Sequence, residues 1–266
     1  MTTALILAGR RDGLTDPLAL EAGVSHKCLA PVAGSPMLTH VAAALAASDG
    51  IGEIRVAIED PEVLAGVPLL RRLLDSGRMM PVAARPNLVD SILAAAQGAQ
   101  FPLFITTADN VLLTPEAVAD MLGQCGTPGT DAAVAFARRE SALAAHPEGQ
   151  RKFYRFAEGS YSNCNSYWLK DRAALTAAET FRSGGQFVKH PMRIVNAFGF
   201  LNLVRLRLGI GTLAETFARF SRRFGMTIAP VILSDGAVAI DVDNSRTRAV
   251  AAELLNARMA VAQAAE

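Results

Sequence analysis

Four short stretches of the sequence hold residue types suited to phosphate chemistry. In "LILAGRRDG" an apolar run meets Gly9, then Arg10, Arg11 and Gly13. The glycines permit close backbone approach to a phosphate chain, and an arginine supplies charge-assisted hydrogen bonds. An ordinary strand-to-loop turn with exposed arginines has the same composition. The loop has neither the G-x-G-x-x-G nor the G-x-x-x-x-G-K-[ST] pattern. In "SHKCLAPVAGSPML" Lys27 stands ahead of a Gly-Ser-Pro that opens a helix. It reads either as the cation that neutralises a phosphate or as a solvated surface lysine. His26 beside it has no assignable nucleophile or acidic partner and reads as a loop residue. In "LFITTADNVLLTPE" an apolar strand delivers Asp109 to its carboxyl end. A carboxylate there suits Mg²⁺, which keeps several waters and bridges to substrate phosphates, or else it caps a turn. "AVAIDVDNSRTRAV" brings Asp241 and Asp243 just ahead of a helix. Their side chains alternate, so one is expected to face a site and the other to cap the last helix.

The elements that would position these residues follow from hydrophobic period and punctuation. Strands are expected at Ala4–Ala8, Ile54–Ile58, Met80–Ala84, Leu103–Thr107 and Asp131–Ala137. Helices are expected at Pro36–Ala47, Glu62–Leu74, Leu88–Gln97 and, capped by Thr114, Pro115–Leu122. Helices between short apolar strands make βαβ units and a parallel sheet with right-handed crossovers. Ligands of such a sheet bind beyond the carboxyl ends of its strands, where "AGRRDG", "EDP", "ARPN" and "TADN" all fall. After Ala137 the rhythm changes. "RRESALAAHPEGQ" is charged and turn-prone, and "RKFYRFAEGSYSNCNSYWL" is strand-like. Asp171 to Phe224 reads as mostly helical, broken at "RSGGQ" and at Gly209–Gly211. Strands at Thr227–Leu233 and Ala237–Ile240 and a helix at about Ser245–Ala264 close the chain.

The 266 residues, 51% of them hydrophobic, can bury a sizeable core. A net charge of +1 makes no broad field for nucleic acid or an anionic membrane. The cysteines Cys28, Cys125 and Cys164 are an odd count without metal-ligand spacing, which fits a reduced compartment. There is no basic-then-apolar leader pattern and no apolar run of the ~18 residues that span a bilayer, so a cytoplasmic location is expected.

Taken in order, "LILAGRRDG…HKCLAPVAGSPML…DSILAAA…FITTADNVLLTP…IDVDNSRTRAV" resembles the NTP-transferase superfamily. These are glycosyltransferase-A-like nucleotidyltransferases, among them the sugar-1-phosphate nucleotidylyltransferases and the molybdenum cofactor guanylyltransferase group. The resemblance covers about Ala4 to Pro115 and the late acidic segment, and fades between Arg138 and Val231. It implies a Rossmann-like three-layer α/β sandwich with a mostly parallel sheet and an irregular helical lobe on the acceptor side. It also implies one domain over 1–266: an NTP-binding half (1–137), an acceptor-side lobe (138–233) and a metal segment with the closing helix (234–266). The loop of Leu7, Ala8, Gly9, Arg10, Arg11 and Gly13 would cradle the NTP phosphates, and Lys27 would contact phosphate. Asp109 would bind Mg²⁺, completed by Asp243 before Asp241. Ser91, with Asp90 beside it, would lie near the nucleoside, and Asn163 would touch the acceptor. The first loop departs from the common pattern: Arg10 stands where many relatives have a second glycine, and no Arg-Met follows.

The expected reaction is transfer of a nucleotidyl group from an NTP to a phosphorylated small molecule, with Lys27, Arg11 and Asp109 carrying the catalysis. "FRSGGQFVKHPMRIV" gathers Arg182, Lys189, His190 and Arg193, which suits a phosphate-bearing acceptor or simply a solvated basic loop. The apolar segment 194–211 reads as a buried or dimer-interface helix, or as a surface close to a membrane. Cys164 reads as a packing residue. A glycosyltransferase of the same fold and a non-catalytic nucleotide-binding relative are the alternatives. The first lacks its usual D-x-D, because the fourth strand ends Ala108-Asp109-Asn110.

Overall fold

The computed structural model describes residues 1–10, 16–126, 129–176 and 199–264. Arg11, Gly13, Arg182, Lys189, His190 and Arg193 lie outside the described residues.

The chain opens with β1 (Thr2–Leu7), a short α1 (Pro17–Glu21), the hairpin β2 (Pro31–Val32) and β3 (Ser35–Pro36), and α2 (Met37–Ala46). There follow β4 (Ile51–Ile58), α3 (Glu62–Ala65), α4 (Pro68–Asp75), β5 (Met79–Ala83), α5 (Leu88–Ala95), β6 (Leu103–Thr107) and α6 (Pro115–Cys125). The remainder is β7 (Ala132–Arg138), α7 (Arg139–Ala145), β8 (Tyr154–Phe156), β9 (Gly159–Leu169), α8 (Phe200–Leu208), α9 (Leu213–Phe224), β10 (Ile228–Leu233) and α10 (Ser245–Ala264).

Among the described residues one sheet runs in the order β10-β7-β9-β6-β1-β4-β5, with β8 added against β9. β1 pairs parallel with both β4 and β6, while β9 is antiparallel to its neighbours β6 and β7. The sheet is thus mostly parallel, with one reversed strand. The chain leaves β1 toward β4 and β5, then returns to the other side of β1 to form β6. The strand order therefore reverses between β1 and β6, where open α/β sheets bind ligands.

Burial on both faces explains why the central strands are continuously apolar. Ala4 and Ile6 of β1 face a core with Leu38, Val41 and Leu45 of α2 and Val118 and Met121 of α6. Leu5 faces the opposite core with Ile92 and Ala95 of α5 and Ile105 of β6. The helical lobe reaches the sheet through Leu213 and Phe217 of α9, packed on Phe136 and Tyr161. Each fully buried Val, Leu, Ile, Phe or Met among them stabilises the fold by about 1.5–3 kcal/mol.

Several expected elements change. Glu62–Leu74 is two helices, because Pro68 starts α4 and the residue before a proline avoids helical backbone. The charged stretch after Ala137 contains α7, which buries Ala142. Ala237–Ile240 is not a strand: Gly236–Ala239 is a 3₁₀ turn, with Asp235 accepting the Ala237 N–H. Gly236 lies so close to α7 that an added Cβ would fall 2.1 Å from the Ser141 carbonyl carbon. The buried-helix reading of 194–211 also fails for its described part, since α8 has no buried residue and exposes Phe200, Leu201 and Leu208.

Candidate active site

The carboxyl ends of β1 and β6 are locked together: Leu7 pairs with Thr107, and Ala108 N–H donates to Leu7 carbonyl at 3.0 Å. From this edge emerge the Gly9–Arg10 loop and Asp109. A Cβ on Gly9 would lie 3.0 Å from Ala84 Cβ and 3.0 Å from Glu59 Oε1. A side chain there would crowd both neighbours, because three strand ends converge at this point. Glu59, just beyond β4, accepts the Arg10 N–H at 2.7 Å, and its other oxygen lies 3.6 Å from His26 Nε2. His26 is buried, with Nδ1 on the Ser25 hydroxyl at 2.9 Å. Burial and then the Arg10 charge lower its pKa, while Glu59 and Asp60 pull the other way. Glu59 thus ties the first loop to the loop that presents Lys27. Sequence inspection missed that role, although "EDP" sits beyond a strand end.

Lys27 begins a 3₁₀ turn, Lys27–Leu29. Its ammonium donates to Asp109 Oδ2 at 2.6 Å and to Asp243 Oδ1 at 3.3 Å. Three segments remote in sequence meet at this one nitrogen. The lysine side chain is 22% exposed and Asp109 15%, whereas Asp243 is 64% exposed, so one arm of the bridge is sheltered and the other open to solvent. Burial alone would depress the lysine, but Asp109 and then Asp243 more than offset it and its pKa stands above the ordinary value. Val242 N–H donates to the Asp109 carbonyl at 3.1 Å, which fixes the late segment against the β6 turn.

Asp241 faces the same corner. Burial and the charges of Asp109 and Asp243 push its carboxyl well above the usual range, opposed by the nearby Asn165 amide and by Lys27. Its buried Oδ1 has no hydrogen-bond partner. Neither aspartate caps α10, contrary to expectation. Asn244 does so, its Oδ1 accepting the Thr247 N–H at 3.1 Å, while the Thr247 hydroxyl accepts the Asp243 N–H at 3.0 Å. The sequence reading passed over Asn244, although asparagine ahead of a helix is a strong cap signal.

The other expected residues are placed as follows. Ser91 is buried in α5; its hydroxyl accepts the Arg85 N–H at 2.8 Å and lies within bonding distance of the Arg85 and Asn87 carbonyls. It shapes the loop after β5. Asp90 is held by Asn87, the cap of α5. Asn163 turns its amide along β9, to Tyr167 Oη at 3.3 Å and to the Asn165 N–H at 2.6 Å. Cys164 is fully buried and its thiol is raised well above the ordinary value by that burial; Cys28 and Cys125 are pushed up to about 12. None of the three offers a reactive thiolate.

The donors at the Lys27 corner are carboxylate oxygens, which suit a hard divalent cation. Among the described residues no three His, Cys, Asp or Glu side chains form a ready metal cluster. Mg²⁺ takes one or two carboxylates plus substrate phosphates, and the buried Asp241 Oδ1 at this corner is an unmet acceptor.

No curated protein matches the chain. Among solved structures, a hypothetical transferase from Thermus thermophilus superposes with a TM-score of 0.76 at 25% identity, over 93% of this chain and 99% of that one. A CMP:2-keto-3-deoxy-manno-octonic acid synthetase complexed with CTP gives 0.56 at 17% identity, over 99% of both chains. A 4-diphosphocytidyl-2C-methyl-D-erythritol synthase from Anaerococcus prevotii gives 0.59 at 9% identity, over 96% of this chain and 98% of that one. The last two likenesses speak for the fold. Residues 4–195 match the MobA-like NTP transferase domain, a span that runs from β1 past the reversed strand. The chain therefore belongs to the MobA-like NTP transferase family of nucleotidyltransferases.

Proposed function

We propose that the protein transfers an NMP group from an NTP to a phosphorylated small molecule, a sugar phosphate, alcohol phosphate or cofactor precursor, and releases pyrophosphate. The observation that carries this reading is the Lys27 ammonium held between Asp109 and Asp243 at the β1/β6 strand ends. An acceptor phosphate oxygen attacks the α-phosphorus in line. The bond to the bridging oxygen breaks, and its electron pair leaves with pyrophosphate. No covalent enzyme intermediate is needed, so the chain's work is positioning and charge neutralisation.

Each residue has a part in this scheme. The Leu7-Ala8-Gly9 turn, fixed through Arg10 N–H to Glu59, sets the phosphate cradle; Arg10, Arg11 and Gly13 complete it. Lys27 and Arg11 neutralise the departing pyrophosphate. Asp109 and Asp243 would hold Mg²⁺, with Asp241 beside them. When bound, Mg²⁺ neutralises phosphate oxygens as a Lewis acid. Ser91 and Asp90 border the nucleoside. Asn163, Lys189 and Arg193 serve the acceptor, on the lobe spanning 138–233. The NTP half is 1–137, the metal segment and closing helix 234–266. We place the reaction in the cytoplasm; no described helix is long and apolar enough to cross a membrane.

The test is pyrophosphate release from ATP, CTP, GTP and UTP, each crossed with phosphorylated sugars, alcohols and cofactor precursors. One NTP and one acceptor class are expected to give stoichiometric pyrophosphate and a new phosphoanhydride. Sugar transfer from a nucleotide-sugar, with no pyrophosphate from any pair, would establish the glycosyltransferase alternative instead. A chain that binds nucleotide but turns over no pair is the non-catalytic relative.

A further inference from the structure

α8 is apolar on two sides. Leu203 and Leu206 are half-buried, and the helix rests on β8 and α9. Leu201 and Leu208 stand seven residues apart and so share a face, with Arg205 between them. Together with Phe200 and Ile210 they are 52–69% exposed. Scattered exposed leucines are ordinary, but these four apolar side chains fall within one short helix and the turn that follows it. A helix with leucines on its outer as well as its inner face needs a second cover.

The surroundings of that face are basic. Arg205 and Arg207 are exposed on α8 itself. Further arginines flank both ends of the helix. A Cβ on Gly199 would lie 3.9 Å from the Arg223 guanidinium carbon, and one on Gly209 would lie 3.4 Å from Arg155 Cβ. Across 199–225 the sequence has five arginines and one carboxylate, Glu215, which is taken up in the capping box of α9. The net charge of +1 averages this basic lobe with a remainder that is acidic, and so conceals it.

The charge selects the cover. A second copy docked through the same face would set these arginines against their own equivalents, and like charges across an interface are costly. An anionic bilayer takes up both features: its headgroup boundary admits the apolar side chains, and its lipid phosphates pair with the guanidiniums. We propose that α8 docks the protein reversibly on an anionic lipid surface, with Phe200, Leu201, Leu208 and Ile210 entering the headgroup boundary and Arg155, Arg205 and Arg207 meeting lipid phosphates. The helix lies on the membrane and does not cross it; no described helix is long and apolar enough to span one. The inference stands apart from the nucleotidyl-transfer reading and does not require it.

Vesicle flotation of the full chain tests it, comparing phosphatidylcholine vesicles with vesicles of phosphatidylcholine and phosphatidylglycerol in equal parts. Wild type is expected to float with the anionic vesicles at low salt and to stay below with the neutral ones. Arg205→Gln combined with Arg207→Gln should lower the affinity about thirtyfold, at about fivefold for each arginine near an anionic surface. Leu201→Ser combined with Leu208→Ser should lower it on the order of tenfold or more. All four positions are exposed, so Tm is expected to stay within about two degrees of wild type. Val261→Ser, at an exposed apolar site on α10, should float as wild type does. Equal flotation with both vesicles, flotation with neither, or undiminished flotation of either double variant overturns the proposal, as does an equal loss in Val261→Ser. A concentration-dependent dimer in sedimentation velocity that Leu201→Ser with Leu208→Ser abolishes also overturns it, because a second copy then covers the helix.

Discussion

At the amino end of the sheet Arg55 of β4 is 5% exposed; its guanidinium donates to the Ala95 and Gln97 carbonyls at 2.7 and 2.6 Å, and its Nε lies 3.1 Å from Glu53. At the carboxyl end Lys27 donates to Asp109 and Asp243. Both are sheltered cations beside carboxylates, and a cleft of about 370 Å³ opens beside Arg55. The partners distinguish them. Arg55 satisfies main-chain carbonyls where α5 ends, and those cannot be released without undoing the helix terminus. Lys27 satisfies side-chain carboxylates from two remote segments, and these can pass to a ligand while the backbone stays in place. A cation bonded to main chain is part of the scaffold, whereas one bonded to converging side chains is available for chemistry.

The most severe test of that contrast is Asp109→Ala. It is expected to lower kcat/KM by on the order of 10³-fold, the upper scale for one preorganised electrostatic group, while Tm changes by only a few degrees. Wild-type kinetics at limiting Mg²⁺ would make Asp109 a turn residue. Lys27→Ala should lose on the order of 10²-fold in kcat/KM with less effect on NTP affinity. Lys27→Arg should recover only part, since a planar fork does not replace a compact ammonium. Matched steady-state kinetics and NTP binding separate the two effects. Arg55→Ala sharpens the contrast from the other side. Urea unfolding should register a loss of about 2 kcal/mol, with kcat/KM of the folded enzyme unchanged. A drop in turnover there would mean that the two ends are not functionally distinct.

The smallest expected effect is a pH slope. The Asp241 carboxyl is raised by burial and by Asp109 and Asp243. Above the ordinary carboxylate value of about 4, and up to the raised value, the folded chain holds a proton that the unfolded chain has lost, so stability falls as pH rises. Asp241→Asn is neutral throughout and lacks that slope. Denaturation in EDTA across a pH series should show the variant gaining on wild type as pH climbs. Parallel curves would place Asp241 among ordinary solvated carboxylates.

The residues of this corner differ in how readable they were. β1, β6, the Thr114 cap and α10 carry local signals, namely apolar runs with a cap or glycine at the end, and they stand where those signals put them. Asp109 could be expected from its strand end, since a parallel sheet gathers ligands at that edge. Lys27 begins a 3₁₀ turn and Asp243 follows another, so their arrival there was implied by the resemblance and not by a strand. The register break in β9 could not be read. Alternation along β9 puts 163 and 165 on one face, and the break is set by pairing with β7, which no local signal carries. Glu59 was hidden for a related reason: its bond to Arg10 N–H depends on how near β4 and β1 end. Ala237–Ile240 misled because a four-residue apolar run has no period, and the crowding of Gly236 against α7 chose the tight turn.

The central claim is that the carboxyl-end corner moves an α-phosphorus from NTP to an acceptor phosphate. The most direct measurement follows an α-³²P-labelled NTP incubated with wild type and the productive acceptor. Label is expected in the acceptor's new phosphoanhydride, with unlabelled pyrophosphate released in equal amount and both products absent with Asp109→Ala. Label recovered only as free NMP, or transfer undiminished in Asp109→Ala, would contradict the account.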